Sequence, residues 1–70
     1  MEILQERLEA ARKRCGMTQR QAADSLHIVR STYTYYERGK TNPPLDILIK
    51  LAKLYGVSAD YLLGLEEEER

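Results

Sequence analysis

The chain has few of the residues from which catalytic and metal sites are built. Its 70 residues include one cysteine, one histidine, no tryptophan and no phenylalanine. A single cysteine excludes an internal disulfide, and Cys15 with His27 are too few ligands for a structural zinc site. The sequence contains no Ser–His–Asp set, no paired-carboxylate dyad and no glycine-rich phosphate loop. We therefore predict a protein that is not an enzyme and that holds no metal and no cofactor.

Long apolar runs are also missing. No uninterrupted apolar stretch approaches the roughly 20 residues that cross a bilayer. Met1 and Glu2 lead straight into a charged helical pattern, which differs from a secretory signal. We expect a cytoplasmic protein without a membrane partner. The length allows one domain with one small core.

The net charge is zero, but the charge is distributed unevenly along the chain. Residues 1–40 carry eight basic and five acidic side chains, a net charge of +3, whereas residues 41–70 carry three basic and six acidic ones, a net charge of −3. A neutral total is therefore compatible with a basic surface on the first half, of the kind that attracts nucleic acid.

Five helical patterns follow one another, and none of the sequence alternates like a strand. Leu4, Leu8 and Ala11 form one apolar stripe, which predicts a first helix over residues 2–14. Gly16 follows at the position where a left-handed residue ends a helix. The fold class that we predict is all-α, a compact domain of five helices.

The second and third helices are close together in the sequence. Thr18 and Gln21 have the spacing of a capping box, which starts the second helix. Residues 27–29 form a short turn, and the third helix is predicted over residues 30–38 with Gly39 as its C-cap.

The two remaining helices follow a loop that contains two prolines. We predict the fourth helix over residues 45–55 and a last short helix that is capped by Ser58 and runs through Leu63. The residues expected to face inward from the fourth helix are Leu45, Leu48, Ile49, Leu51, Ala52 and Tyr55. The core is predicted to include Leu8, Ala22, Leu26, Leu48, Leu51 and Leu62.

The end of the chain differs in composition from the rest. We interpret residues 1–65 as the domain and residues 66–70, which are four glutamates and an arginine, as an acidic tail. Such a charge run is typical of a solvated, frayed segment or of the cut end of a longer protein.

One face of the third helix is polar and carries cations. Arg30, Ser31, Thr34, Tyr35 and Arg38 share this face at helical spacing. Arginine, hydroxyl and aromatic side chains in this arrangement are compatible with contacts to base edges and phosphates in the major groove of DNA. On these residues alone, an ordinary solvated helix face is the simpler interpretation.

The opposite face of the same helix is expected to point into the protein. Tyr33, Tyr36 and Glu37 lie there, and we expect them to face the first, second and fourth helices. The two tyrosines are then core residues whose hydroxyls extend toward polar partners.

Several short motifs recur along the chain in a characteristic order. They are Arg12 in the first helix, Gly16-x-Thr18-Gln19-x-x-x-Ala23 through the second, Tyr33-x-x-Tyr36-Glu37-Arg38-Gly39-Lys40 at the end of the third, Pro43 in the loop, and Leu51-Ala52-x-x-Tyr55-Gly56-Val57-Ser58-x-x-x-Leu62-Leu63. No single motif is specific, but with this order and spacing the chain resembles the Cro/repressor-type, or Xre, family of helix-turn-helix domains from about residue 4 to residue 63.

The resemblance implies a function. Members of this family are bacterial or phage transcriptional regulators, often repressors, that bind double-stranded DNA sequence-specifically. A homodimer places one recognition helix in each of two half-sites related by two-fold symmetry. For this chain, the resemblance implies that the helix over residues 30–38 enters the major groove.

The resemblance also assigns roles to individual residues. The base contacts that it implies are Arg30, Ser31 and Tyr35, and Thr34 is expected beside them because it shares their polar face. The expected phosphate contacts are Thr18, Gln19, Arg38, Lys40 and Asn42. Arg12 and Glu37 correspond to a partly buried structural ion pair that sets the angle at which the third helix is presented.

Two positions depart from the family pattern and leave alternatives open. His27 stands where the family often has glycine, and Val29 stands where it often has a Ser or Thr cap. Val29, the zero net charge and the acidic tail favour a protein-interaction module that keeps the fold without binding DNA. A further alternative is an antitoxin or restriction-controller protein, which binds DNA and also has a protein partner of unknown kind.

Overall fold

The computed structural model describes residues 2–67, and within them it is all-helical. The five helices are α1 (Glu2–Arg14), α2 (Gln19–Leu26), α3 (Arg30–Arg38), α4 (Leu45–Tyr55) and α5 (Ala59–Leu62). The predicted all-α fold and the order of its helices are therefore confirmed. The last helix is one residue shorter than predicted, because Leu63 is its C-cap.

Residues 68–70 of the predicted acidic tail lie outside the described residues. Glu66, at the start of that segment, is half-buried. Its carboxylate accepts a hydrogen bond from the Ser58 hydroxyl at 2.9 Å, and its backbone carbonyl accepts one from Arg7 at 2.5 Å. Glu66 thus contacts the N-cap of α5 and a side chain of α1.

A single apolar core receives side chains from all five helices. The six residues predicted for it are all buried: Leu8, Ala22, Leu26, Leu48, Leu51 and Leu62. Ala22 and Ala23 are 0% and 1% exposed, so two small side chains lie where α2 packs against its neighbours. This packing holds α2 and α3 in a constant relative orientation.

Both ends of α2 and the start of α3 have defined backbone conformations. The Thr18 hydroxyl accepts from the Gln21 backbone N–H and the Gln21 side chain accepts from the Thr18 N–H, which confirms the predicted capping box. His27 ends α2 with φ of 59°, the left-handed conformation that glycine adopts with less strain. Val29 precedes α3 in an extended conformation and makes no side-chain cap.

The inward face of α4 differs from the prediction at two positions. Leu45 and Ile49 were expected in the core but are 78% and 51% exposed, whereas Ile47 is buried. The buried stripe of α4 consists of Ile47, Leu48, Leu51, Ala52 and Tyr55. Leu45 and Ile49 lie just beyond its edge, because the stripe follows a helical period centred on Leu51. The predicted centre lies about 50° round the helix from the observed one, since a helix turns about 100° per residue.

Candidate nucleic-acid interface

The two faces of α3 are oriented as the sequence predicts. Tyr33 and Tyr36 on the inner face are 0% and 6% exposed. On the outer face, Arg30, Ser31 and Arg38 are exposed. The outer face therefore presents donors and cations to the surroundings of the protein.

An ion pair connects α1 to the end of α3. Arg12 Nε donates to Glu37 Oε2 at 2.8 Å and Arg12 Nη2 donates to Glu37 Oε1 at 3.2 Å, so the contact is bidentate. The two side chains are only 10% and 4% exposed. Arg12 Nη1 also donates to the Met17 carbonyl at 2.9 Å, in the segment before α2. One guanidinium thus connects α1, the start of α2 and the last turn of α3.

Glu37 accepts hydrogen bonds from three helices. Besides Arg12, its carboxylate accepts from Gln19 Nε2 of α2 at 3.1 Å and from the hydroxyl of Tyr33. Burial alone would raise the pKa of Glu37, but the hydrogen bonds from Arg12, Tyr33 and Gln19 outweigh it and hold that pKa below its ordinary range. The carboxylate therefore remains charged inside the domain.

The same network continues into α4. The hydroxyls of Tyr33 and Tyr55 are 2.5 Å apart. Burial is the main reason that the pKa of Tyr33 is raised and that the pKa of Tyr55 is raised to about 12. Both phenols are therefore neutral at physiological pH, and each can bridge helices without adding a buried charge.

Two side chains expected to contact DNA are connected to each other. Thr34 Oγ1 donates to Gln19 Oε1 at 2.9 Å. This bond joins the outer edge of α3 to the first residue of α2. Thr34 is half-buried, unlike its neighbours Ser31 and Tyr35.

Two open depressions lie beside the outer face of α3. The larger is lined by the N-terminal end of α2 and by cations of three helices: Arg12, Lys13, Gly16, Met17, Thr18, Gln19, Arg20 and Arg30. The smaller lies between α2 and α3 and is lined by Arg20, Arg30, Ser31, Thr34 and Tyr35. The free backbone N–H groups of a helix N-terminus and several guanidinium groups together favour an anion in such a depression.

The remaining predicted contacts lie outside these depressions. Arg38, Lys40 and Asn42 are exposed at the end of α3 and in the loop that follows. Lys40 Nζ lies 5.5 Å from the centroid of the Tyr35 ring, a cation–π distance. The structure therefore brings Thr18, Gln19 and Arg30 together in the lining of the larger depression and leaves Arg38, Lys40 and Asn42 outside both depressions.

Arg20 lines both depressions but was not among the residues predicted to contact DNA. A signal for it was present in the sequence. Arg20 is the second residue of α2, and the dipole of a helix disfavours a cation in the first turn by about 0.3–1 kcal/mol. An anion bound in either depression would offset that cost. Lys13, in the last turn of α1, was missed as well.

The described part of the chain lacks two classes of site. Residues 2–67 contain no group of three or more His, Cys, Asp or Glu side chains arranged to hold a metal ion. None of their helices has the length and apolar character required to cross a bilayer.

Comparison with known proteins gives consistent matches. A family model described as helix-turn-helix matches residues 8–62. The HTH-type transcriptional regulator ImmR of Bacillus subtilis is 47% identical over 64 residues, which are 91% of this chain and 50% of ImmR. The cryptic phage CTXphi transcriptional repressor RstR of Vibrio cholerae is 38% identical over 61 residues, 87% of this chain and 54% of RstR.

An archaeal relative is matched over most of its length. An HTH-type transcriptional regulator of Archaeoglobus fulgidus is 32% identical over 63 residues, which are 90% of each chain. By contrast, the chain spans about half the length of the bacterial relatives named above.

Proposed function

Because the chain belongs to the Xre-type helix-turn-helix family, we propose that it binds double-stranded DNA sequence-specifically and regulates transcription as a repressor. One observation carries the proposal. The outer face of α3 is exposed, polar and cationic, and it adjoins two depressions that Arg20 and Arg30 both line. A helix with such a face fits the major groove, and phosphates follow its edges.

The base contacts belong to the first turns of α3. Arg30 is the first residue of α3, and its exposed guanidinium can donate two hydrogen bonds to O6 and N7 of one guanine. Ser31 and Tyr35 lie on the same face and contact neighbouring base pairs.

The phosphate contacts form two groups beside this reading face. Thr18, Gln19 and Arg20 bind one or two phosphates at the N-terminus of α2. Arg38, Lys40 and Asn42 bind the backbone beyond the last turn of α3. The two groups together orient α3 along the groove.

The proposal includes two copies on one operator. Half-sites of such operators are about 34 Å apart, one turn of B-DNA. The described residues extend over 29 × 23 × 19 Å between Cα atoms, which is of the same size as this spacing. Two copies then bind side by side on one face of the duplex with one α3 in each half-site. The protein acts in the cytoplasm, where bacterial and phage DNA lies, and it performs no catalysis.

Binding to selected DNA tests the proposal. A preferred duplex is first selected from a random pool, and fluorescence anisotropy then measures affinity for it and for a scrambled duplex over a series of salt concentrations. We expect tighter binding to the selected duplex and a steep loss of affinity with salt, with a log–log slope near −0.9 for each phosphate contacted.

Control variants distinguish binding at this surface from non-specific attraction of DNA to any exposed cation. Lys50→Ala and Lys53→Ala remove exposed cations of α4 that line neither depression, and each should leave both affinities nearly unchanged. If the folded wild-type protein binds neither duplex at low salt, the DNA-binding proposal is wrong and the protein-interaction module takes its place.

A further inference from the structure

The hydroxyl of Thr34 is already used inside the protein. Thr34 lies on the reading face of α3, but its Oγ1 donates to Gln19 Oε1 at 2.9 Å. A hydroxyl has one hydrogen to donate, so Thr34 cannot donate to a base while this bond holds. Its half-buried side chain also lies deeper than the exposed Ser31 and Tyr35.

The amide of Gln19 is held at both of its polar atoms. Its Nε2 donates to Glu37 Oε1 at 3.1 Å, and its Oε1 accepts from Thr34. The Glu37 carboxylate only accepts, because Arg12 and the other donors keep it charged. A flipped Gln19 amide would turn its oxygen toward this carboxylate and would lose that bond. Glu37 therefore selects the amide orientation, and Thr34 holds the other end of the amide in place.

One hydrogen of the Gln19 amide remains available. The NH2 group has two hydrogens, and Glu37 is its one acceptor within residues 2–67. Gln19 also lines the larger depression together with Thr18 and Arg20. The second N–H can therefore donate to a phosphate that binds there, provided that the amide is held in one orientation.

We propose that Thr34 is a positioning residue that orients the Gln19 amide toward a DNA phosphate and makes no base contact of its own. The inference rests on the proposed function. It assigns to Thr34 an indirect role that is the same for every DNA sequence, because phosphates are the same at every base pair.

A double-mutant cycle tests this role. The proteins are wild type, Thr34→Val, Gln19→Ala and the double variant, each measured on the selected and the scrambled duplex. Thr34→Val should weaken binding to both duplexes by the same factor, about three- to tenfold, the range of one hydrogen bond. The double variant should bind no more weakly than Gln19→Ala alone, because Thr34 acts only through Gln19.

Thr34→Ser is the matched control. It keeps the hydroxyl and should therefore bind both duplexes with nearly wild-type affinity. A second measurement is independent of DNA. The side-chain amide resonances of Gln19 in a ¹H–¹⁵N spectrum should shift in Thr34→Val and stay close to their wild-type positions in Thr34→Ser. An unfolding curve for each variant checks that it is folded under the binding conditions, because Gln19→Ala also removes a hydrogen bond to Glu37.

The outcomes distinguish this inference from the proposed function. If the losses from Thr34→Val and Gln19→Ala add, or if Thr34→Val weakens only the selected duplex and relaxes the choice at one base pair, Thr34 is a base contact and the inference is wrong. Unchanged Gln19 resonances in Thr34→Val also overturn it. If wild type binds neither duplex, the proposed function fails and the inference fails with it.

Discussion

The inner and outer faces of α3 differ in how their side chains are held. Tyr33 and Glu37 on the inner face have hydrogen-bond partners on α1, α2 and α4. The side chains of Arg30 and Ser31 on the outer face have no hydrogen bond or ion pair with other residues of the described range 2–67. The inner face therefore has its partners within the fold, whereas the side chains of Arg30 and Ser31 are exposed at the surface.

This difference separates two kinds of mutational effect. Changes on the inner face should lower the free energy of unfolding, because they leave buried polar groups without partners. Changes on the outer face should leave that free energy within about 0.5 kcal/mol of wild type and act on DNA binding instead. Substitutions on the two faces of α3 test this separation.

Arg12→Ala should be the most destabilising of these changes. It removes the buried guanidinium and leaves the Glu37 carboxylate, 4% exposed, without a counter-ion. Breaking such a pair costs about 3–5 kcal/mol, much of the stability of a domain this small. Lys13→Ala is the control, because its ion pair with Glu9 is exposed and worth less than about 1 kcal/mol. Urea unfolding followed by circular dichroism measures both, and equal midpoints would contradict a structural role for the Arg12–Glu37 pair.

Tyr33→Phe and Tyr35→Phe compare the two faces directly. Each removes one hydroxyl from α3. Tyr33 donates to Glu37 and lies beside the Tyr55 hydroxyl, so its loss leaves a buried phenol unpartnered and should cost about 1–3 kcal/mol. Tyr35 is 42% exposed, and its change should stay within about 0.5 kcal/mol. Similar losses from the two variants would mean that the faces do not differ in this way.

Acid should lower the free energy of unfolding, because Glu37 on the inner face becomes protonated. Its pKa is lower in the folded protein than the ordinary value of 4.5, because hydrogen bonds to the carboxylate outweigh burial. The unfolded chain therefore binds the proton more tightly. The stability that Glu37 contributes is fully present above pH 4.5 and is lost as the pH falls through its folded-state pKa.

Denaturant midpoints measured between neutral pH and pH 3 should therefore decline on the acid side. Glu37→Gln, although less stable overall, should show a shallower decline. Glu9→Gln, which changes an exposed carboxylate, is the control and should keep the wild-type profile. A Glu37→Gln profile as steep as that of wild type would refute the assignment.

Val29→Thr should give the smallest effect, and with the opposite sign. Val29 is 66% exposed and makes no cap at the start of α3. A threonine hydroxyl there can accept a hydrogen bond from a free N–H of the first turn, which typically stabilises by about 0.5–1 kcal/mol. Val29→Ala is the matched control without a hydroxyl. If the Thr and Ala variants have the same unfolding midpoint, the free N–H groups at the N-terminus of α3 already have other hydrogen-bond partners.

Local signals in the sequence were sufficient to predict most of the fold. The Thr18–Gln21 capping box and Gly39 mark helix ends through interactions between residues close in the chain, so the bounds of α2 and α3 could be predicted. Leu45 and Ile49 could not be placed by the same reasoning. Their burial depends on where neighbouring helices lie against α4, which periodicity alone leaves undetermined.

The site shows the same limit more strongly. Residue spacing within one helix placed Arg30 on the outer face of α3, and the family resemblance then implied its contact with a base. Thr34 and Gln19 are 15 residues apart in sequence, and the bond between them joins α3 to α2. The depressions shared by Arg20 and Arg30 likewise exist only once α2 and α3 are packed. Contacts between helices depend on side-chain packing, and residue spacing does not report them.

The reading of bases by the outer face of α3 is tested most directly by the ratio of affinities for the selected and the scrambled duplex, measured for wild type, Arg30→Ala and Gln19→Ala. Arg30→Ala should weaken binding to the selected duplex by about 5- to 150-fold, the value of one bidentate guanine contact, and should lower the ratio. Gln19→Ala should weaken both duplexes alike and leave the ratio unchanged. If Arg30→Ala lowers both affinities by the same factor at an unchanged unfolding midpoint, Arg30 contacts only the DNA backbone and the account of α3 as the reading helix is contradicted.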